Sequence, residues 1–402
     1  MEPRTLTGTP QPTRPCPCCG SGQTEAFYRV ADVPVFSVVT MKSREQALQV
    51  PRRDLELAFC HGCGFVYNHL FDRSIDYFTL GYEDQQGYSR TFVAFLERVA
   101  DDLIARHQLH GRTLLEIGCG KGDFLNLMVT RAGGRGIGVD PAYVPGRQQN
   151  DRLEFHREFY APHHGGLGAD FICCRHTLEH IPDAHGFMQG LRDSIPPGRN
   201  PPLFFEVPDV RRILDEAAFW DIYYEHCSYF SAGSLARLFH RTGFEVTSLR
   251  LDYNDQYLLA EAVPADRPAP DAATRSSQEE AIADALARVR RFQTRIAAQL
   301  ESWRERLRAW KAQGRKVALW GGGSKAVGFL TQFAAQTSFD CVVDINPHLE
   351  NNHIPGIGSR YVQPRWLAEH RPDVVVIMNG VYREEIAAQL ATMGLTPELH
   401  AL

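Results

Sequence analysis

The sequence has no run approaching eighteen consecutive apolar residues, and no basic segment leading into an apolar one at its start. A helical membrane span and a secretory signal are therefore not expected, and the chain reads as soluble and cytoplasmic, with no membrane partner. Charge of one sign is also missing: 43 Lys and Arg stand against 48 Asp and Glu, a formal net charge of -5. A general binder of nucleic acid or membrane surfaces would need a basic excess, so neither class is favoured. No short-period repeat runs through the chain. With 44% hydrophobic and 23% charged residues there is no compositional case for disorder, and 402 residues exceed what one core usually holds, so two or three domains are expected.

Cysteine, by contrast, is present, with ten residues. In a reducing compartment they need a reading other than disulfides. Cys119, Cys173, Cys174, Cys227 and Cys341 are scattered through apolar contexts and read as small core hydrophobes. Cys16 and Cys19 in "CPCCGSG", and Cys60 and Cys63 in "FCHGCGFVYN", form two C-x-x-C turns. Two such turns close a tetrahedral four-thiolate site, for which a structural Zn2+ is the expected occupant; with no open coordination position the metal would hold a small domain together and do no chemistry. Cys18 competes with its neighbours for a place in that set. The Pro-, Thr- and Arg-rich opening of about fifteen residues reads as a frayed tail.

From "RTFVAFLERVADDLIARH" onward the apolar period is helical, and helices then alternate with apolar strands: one near 113–118, a helix after Lys121, then strands at "GIGVD", "DFICC" and "PLFFEV". That alternation predicts an α/β fold with a parallel sheet covered on both faces. "DRPAPDAATRS" (266–276) reads as a linker, and the following 36 residues from "QEEAIADAL" to "RAWKAQ" keep a helical period without Pro or Gly. A second strand, glycine turn and helix begins at "KVALWGGGSKAVGFLTQ". The expected division is 1–75, 76–265, 266–312 and 313–402.

In "LLEIGCGKGDFL" (114–125), Gly118, Gly120 and Gly122 follow the first strand with Glu116 ahead of them, and Asp140 ends the second strand. A strand-end carboxylate there can accept hydrogen bonds from ribose hydroxyls, as both NAD and S-adenosylmethionine sites require. The G-x-G-x-G spacing departs from the dinucleotide fingerprint, and Asp123 would repel a pyrophosphate. The stretch resembles motif I of class I S-adenosylmethionine-dependent methyltransferases, and "CRHTLEHIPD" resembles the segment after their fourth strand.

A four-cysteine domain, a methyltransferase core and a glycine-loop α/β unit, in that order, are similar to sugar C-methyltransferases acting on nucleotide-linked keto-deoxysugars. The matching segments are "CPCC…CHGCG", "YEDQQGYSRTF", "LLEIGCGKGDFL", "HTLEHIPD", "FWDIYYEHCSYFS" and "WGGGSKAVGFL". The resemblance implies a class I methyltransferase Rossmann-like core between a small N-terminal zinc-binding domain and a C-terminal Rossmann-like substrate-binding domain. It also implies S-adenosylmethionine as cofactor, held by Glu116, Gly118, Gly120, Gly122, Asp140, Pro141 and His176.

"DIYYEHCSYFS" (221–231) concentrates acid, base and phenol. Methyl transfer to carbon needs a carbanion, which a ketone provides after losing an adjacent proton; His226 suits a near-neutral base and Tyr223 a donor to the enolate oxygen. A single histidine in an apolar neighbourhood is more often structural, and only its acidic and phenolic neighbours set His226 apart. The resemblance implies a catalytic group of Tyr223, Glu225 and His226, with Glu225 orienting the imidazole, joined by His180 and by Tyr82 from a capping segment where Tyr88 competes for the role. Glu206 reads as a strand-end carboxylate that orients its neighbours.

At the C-terminal turn, Gly321, Gly322, Gly323 and Ser324 with Lys325 could cradle a phosphate, and Asp344 ends the next strand. A second NAD site would need a different glycine spacing, and a unit kept only for packing is the alternative. The resemblance implies that Ser324, Lys325 and Asn379 bind the nucleotide diphosphate of the sugar. The expected partner is thus a small molecule, a nucleotide-sugar, with no nucleic acid, and the chain is a monomer or homodimer. Rival expectations are methylation of oxygen or nitrogen on another metabolite, and an NAD-dependent oxidoreductase.

Overall fold

The computed structural model describes residues 14–75, 81–83, 85–266, 279–333, 339 and 341–402; the frayed tail up to residue 13 and the linker over 267–276 lie outside the described residues. Three sheets organise the chain. Strands β1 (Thr24–Pro34), β2 (Arg52–Cys60) and β3 (Val66–Asn68) pair antiparallel in sequence order and bury Val30, Leu55, Leu57, Phe59 and Val66.

The central unit opens with the helix Arg90–His107, capped by the Ser89 hydroxyl accepting from the amide of Phe92, with Phe92, Phe95, Leu96, Val99 and Leu103 as its buried stripe. Then come β4 (Thr113–Ile117), β5 (Arg135–Val139), β6 (Leu153–His156), β7 (Phe171–Arg175), β8 (Leu203–Pro208), β9 (Ser228–Tyr229), β10 (Phe244–Asp252) and β11 (Tyr257–Pro264). All but β9 form a seven-stranded sheet in the order β10-β11-β8-β7-β4-β5-β6, parallel from β8 to β6 and antiparallel through β10 and β11. This is the class I methyltransferase arrangement that the resemblance implied. β9 leaves the unit and pairs with β3, so the N-terminal sheet is completed by a strand from the "YYEHCSYFS" segment.

The C-terminal strands β12 (Val317–Trp320), β13 (Cys341–Val343), β14 (Arg360–Val362), β15 (Val374–Ile377) and β16 (Glu398–Ala401) form an all-parallel sheet ordered β14-β13-β12-β15-β16. The long helix, Ile282–Ala312, is more than a connector. Its Phe292 meets Tyr28 edge-on at 5.2 Å, and its Trp303 meets Phe329 edge-on at 5.1 Å, so one apolar face braces both outer units.

The helix Ser324–Phe333 packs so closely on the segment Phe219–Asp221 that a Cβ added at Gly328 would lie 2.6 Å from the carbonyl oxygen of Trp220. That contact seats the C-terminal unit against the chain just before Tyr223. Among the described residues no helix is long and apolar enough to cross a membrane.

Candidate active site

Strand β4 sits where the sheet order reverses, between β5 and β7, and ligands of open α/β sheets bind beyond the carboxyl ends of strands at such a point. The glycine turn leaves β4 there. Gly118 has φ +68°, and a Cβ on it would fall 2.0 Å from Oγ1 of Thr177, so only glycine fits. Asp140 pins the turn from the next strand: its carboxylate accepts from the amides of Gly120 (2.8 Å) and Ala142 (2.7 Å).

A cavity of about 660 Å3 opens over this turn. Glu116, Gly118, Gly120, Asp140, Pro141 and His176 line it from the central unit, and Tyr82, His180, Tyr223 and His226 form a second wall. Ser324, Lys325 and Asn379 of the C-terminal unit line the same cavity. Residues expected on the cofactor, the catalytic group and the far substrate site therefore face one space.

Two expected residues stand outside that lining. Gly122, with φ +79°, is the N-cap of the helix Asp123–Ala132; a Cβ there would strike the ring of Phe155 at 2.5 Å, so its glycine serves the turn. Glu225 does not line the cavity, and the expectation that it orients the imidazole of His226 is corrected. Its buried carboxylate accepts from the amide (2.8 Å) and hydroxyl (2.5 Å) of Ser37 and from the Tyr82 phenol (3.4 Å), because the loop after β1 reaches it first. The partner of His226 is Tyr223, whose phenol lies 2.8 Å from Nε2. His180 meets the same segment from the other side: its Nδ1 donates to the Glu225 carbonyl (3.1 Å), and its ring stands edge-on to that of His226 at 4.9 Å.

The electrostatics separate these groups. Burial, reinforced by His180 and His176, holds the imidazolium of His226 well below its ordinary range, so the ring is neutral near pH 7 and has a lone pair available. Burial first, then nearby Asp221, pushes the Tyr223 phenol well above 10, which keeps it a donor. Burial also raises Glu116 to about 8, and its Oε2 has no hydrogen-bond partner. His176 has φ +46°, outside ordinary backbone for such a residue. Burial disfavours its charge, but hydrogen bonds to Glu179 and Glu206 prevail and raise it to about 9.

Glu206, fully buried, also takes Arg175 in a two-bond fork at 2.8 and 3.0 Å, and so orients its neighbours as a strand-end carboxylate should. Of the two competing tyrosines, Tyr82 reaches Glu225, whereas Tyr88 is partly exposed at the rim.

The C-terminal cradle is preorganised by contacts across units. The Lys325 ammonium lies 2.7 Å from Asp221 and donates to Gln256 (3.1 Å), and Gln256 in turn donates to Asn379 (2.8 Å). Lys121, inside the first glycine turn, donates to Glu83 (2.8 Å), which accepts from Asn346 (3.0 Å) on the far unit. Sequence reasoning missed Ser37, Glu83, Asp221 and Gln256; only Lys121, standing within G-x-G-K-G, carried a local signal. Outside the cavity lining, Cys16, Cys19, Cys60 and Cys63 converge with all four sulfurs within 4.8 Å of one another, while Cys18 stays outside the group. All ten cysteines are free.

Comparison with known proteins decides the family. A methyltransferase-domain profile matches residues 90–249, and a C-methyltransferase C-terminal domain profile matches 257–395. The C-methyltransferase NovU of Streptomyces niveus is 28% identical over 320 residues, 74% of this chain and 73% of its own. The chain belongs to the C-methyltransferases. It is an S-adenosylmethionine-dependent methyltransferase.

Two solved methyltransferases also align with this C-methyltransferase. The magnesium protoporphyrin IX methyltransferase of Synechocystis PCC 6803, with bound S-adenosylhomocysteine, is 17% identical over 44% of this chain and 84% of its own, TM-score 0.35. The 1,6-didemethyltoxoflavin-N1-methyltransferase of Burkholderia thailandensis is 14% identical over 50% of this chain and 96% of its own, TM-score 0.34.

Proposed function

We propose that this C-methyltransferase methylates a carbon next to the ketone of a nucleotide-linked keto-deoxysugar, through an enolate formed by His226. The observation that carries the reading is the 2.8 Å contact between the Tyr223 phenol and Nε2 of a buried, neutral His226, on the wall that faces the glycine turn. When the ketone oxygen enters, the phenol turns its proton from Nε2 to that oxygen. The freed lone pair of His226 then takes the adjacent C–H proton, and the phenol holds the charge that develops on oxygen.

S-adenosylmethionine supplies the electrophilic methyl group. Its fit rests on the cradle of Gly118 and Gly120, on Asp140 at the second strand end, and on the unpartnered Oε2 of Glu116, which offers an acceptor to the donor groups of such a cofactor. His180 and Tyr82 border the acceptor. Ser324, Lys325 and Asn379, on the opposite wall, suit the diphosphate. The sugar reading is supported by one cavity of about 660 Å3 being lined both by Tyr223 and His226 and by the C-terminal cradle.

The four-thiol set suits structural Zn2+. Its Cys16–Cys63 and Cys19–Cys60 sulfur separations are 3.7 and 3.5 Å, close to the tetrahedron edge of about 3.8 Å that a metal–sulfur bond of about 2.3 Å requires. The metal would tie the turn before β1 to the turn after β2.

The test is incubation with methyl-labelled S-adenosylmethionine and a panel of nucleotide-linked keto-sugars, with the label located by NMR. The reading expects label on carbon beside the ketone and loss of turnover in His226→Asn. Label on oxygen or nitrogen, with substantial turnover in that variant, would end it.

A further inference from the structure

Separate from the four cysteines, a second set of metal-ligating side chains gathers where β6 leaves the sheet. The stretch "LEFHREFYAPHH" carries Glu154, His156, Glu158, His163 and His164. One oxygen, Oε1 of Glu158, is faced by Nε2 of His164 at 3.3 Å, Nε2 of His163 at 3.6 Å and Nδ1 of His156 at 3.8 Å. Ligand atoms of His156, Glu158 and His164 all lie within 4.8 Å of one another. These spacings approach the edges of about 3.4 Å expected between nitrogen and oxygen ligands on a tetrahedral ion.

The outer contacts are those of metal-binding imidazoles. In His156 the other nitrogen, Nε2, lies 2.9 Å from the Glu154 carboxylate, and donation to it leaves the Nδ1 lone pair turned towards Glu158. In His164, whose side chain is 1% exposed, Nδ1 lies 3.0 Å from both the amide and the carbonyl of Ala161; in the tautomer that donates to the carbonyl, the Nε2 lone pair is turned towards Glu158. A second acceptor holding the far N–H of each ligating histidine is the usual support of such sites. In those tautomers both lone pairs and the Glu158 oxygen converge on one point, where a cation would be held by all three.

We propose that His156, Glu158 and His164 bind a divalent transition-metal ion of the zinc class, for which a set of two imidazoles and one carboxylate is suited. The ion clamps the loop over residues 157–161, whose Phe159 and Tyr160 line the cavity. Tyr160 in turn stacks on His164 at 5.3 Å between ring centres and shares a 2.7 Å hydrogen bond with Ser194. The site thus lies beside a loop that lines the cavity.

The experiment compares zinc bound at equilibrium by the full-length wild type, His156→Gln and Glu158→Gln, by competition with a zinc indicator. These two variants lie at exposed or half-exposed positions, and their folding is checked by circular dichroism. Wild type should bind one equivalent more than either variant. Cobalt titration of protein whose thiol site is already filled with zinc should give weak visible bands, without thiolate charge transfer, that both variants lose. Equal zinc in all three proteins, or cobalt bands unchanged in the variants, overturns the proposal.

Discussion

The hydroxyl of Ser37 lies 2.9 Å from that of Ser324, and the same Ser37 hydroxyl donates to the buried carboxylate of Glu225. Residues from the N-terminal unit, the catalytic segment and the C-terminal glycine turn therefore meet in one chain of hydrogen bonds. Occupancy of the turn by an anion competes for the Ser324 hydroxyl and so bears on the contact that Ser37 makes to Glu225.

Ser37→Ala removes that relay. Burial already raises the Glu225 carboxyl above its ordinary value of 4.5, and losing a hydroxyl donor raises it further. A hydrogen bond to a charged group contributes about 1.5–3 kcal/mol, so the variant should lose roughly that much stability near pH 7 in urea unfolding. The loss should shrink as pH falls and Glu225 takes up its proton, and Ser37→Thr should restore the wild-type profile. Unfolding over a pH series checks this, and a loss independent of pH would refute the relay.

Glu116 gives a second pH dependence, on the cofactor side. Its carboxyl titrates at about 8 because it is buried, so it is mostly neutral at pH 7 in the free enzyme. A cationic ligand held by its carboxylate must draw the proton off. The dissociation constant for S-adenosylmethionine should therefore tighten by about tenfold per unit as pH rises from 6 to 8, then level off. Titration calorimetry in buffers of differing ionisation heat would show the released proton, and Glu116→Gln should flatten the slope. A wild-type affinity that does not change over this range would show that Glu116 does not meet the cofactor's charge.

Much of this was readable from the chain. Gly118 and Gly120 announced their turn because a bare backbone is needed there, and the paired C-x-x-C turns announced a convergence of thiols. The long helix was visible in its period, within a few residues of Ile282–Ala312. What stayed hidden depends on long-range geometry. The two-residue strand β9 is too short to carry a pattern, yet its pairing with β3 carries the segment of Glu225 to the N-terminal unit and gives that carboxylate to Ser37. Nothing in "VFSVVT" distinguishes Ser37 from any other serine of an apolar stretch.

The Arg175–Glu206–His176 cluster should dominate the pH dependence of stability. His176 is raised from 6.5 to about 9, so its contribution is complete below 6.5 and is lost as pH rises through 9. Glu206 is lowered from 4.5 to about 2, since Arg175 and then His176 outweigh the cost of burial; its contribution is present above 4.5 and is lost as pH falls through 2. Both shifts describe one interaction, counted once at about 3 kcal/mol. Glu206→Gln leaves two buried cations short of a partner and should cost roughly 3–5 kcal/mol in urea unfolding near pH 6, and less near pH 9.5, where His176 is neutral and only Arg175 lacks its carboxylate. An NMR titration of His176 should show its pKa falling in this variant. An equal loss of stability at both pH values would disprove the linkage.

Gly328 tests whether the seating of the C-terminal unit controls the catalytic wall. A Cβ there meets the Trp220 carbonyl oxygen at 2.6 Å and its carbon at 3.1 Å, backbone atoms that cannot rotate away. In Gly328→Ala the helix Ser324–Phe333 must back off, carrying Ser324 and Lys325 from Ser37 and Asp221 and loosening the chain just before Tyr223. Overpacking of this kind costs about 1–3 kcal/mol of stability, and a displacement near 1 Å about a hundredfold in rate. Turnover should drop by one to two orders of magnitude while the affinity for S-adenosylmethionine, held by the other end of the cavity, stays within about twofold. Parallel calorimetry and steady-state kinetics separate the two effects. If Gly328→Ala keeps wild-type kcat, the catalytic wall does not depend on how the C-terminal helix is seated.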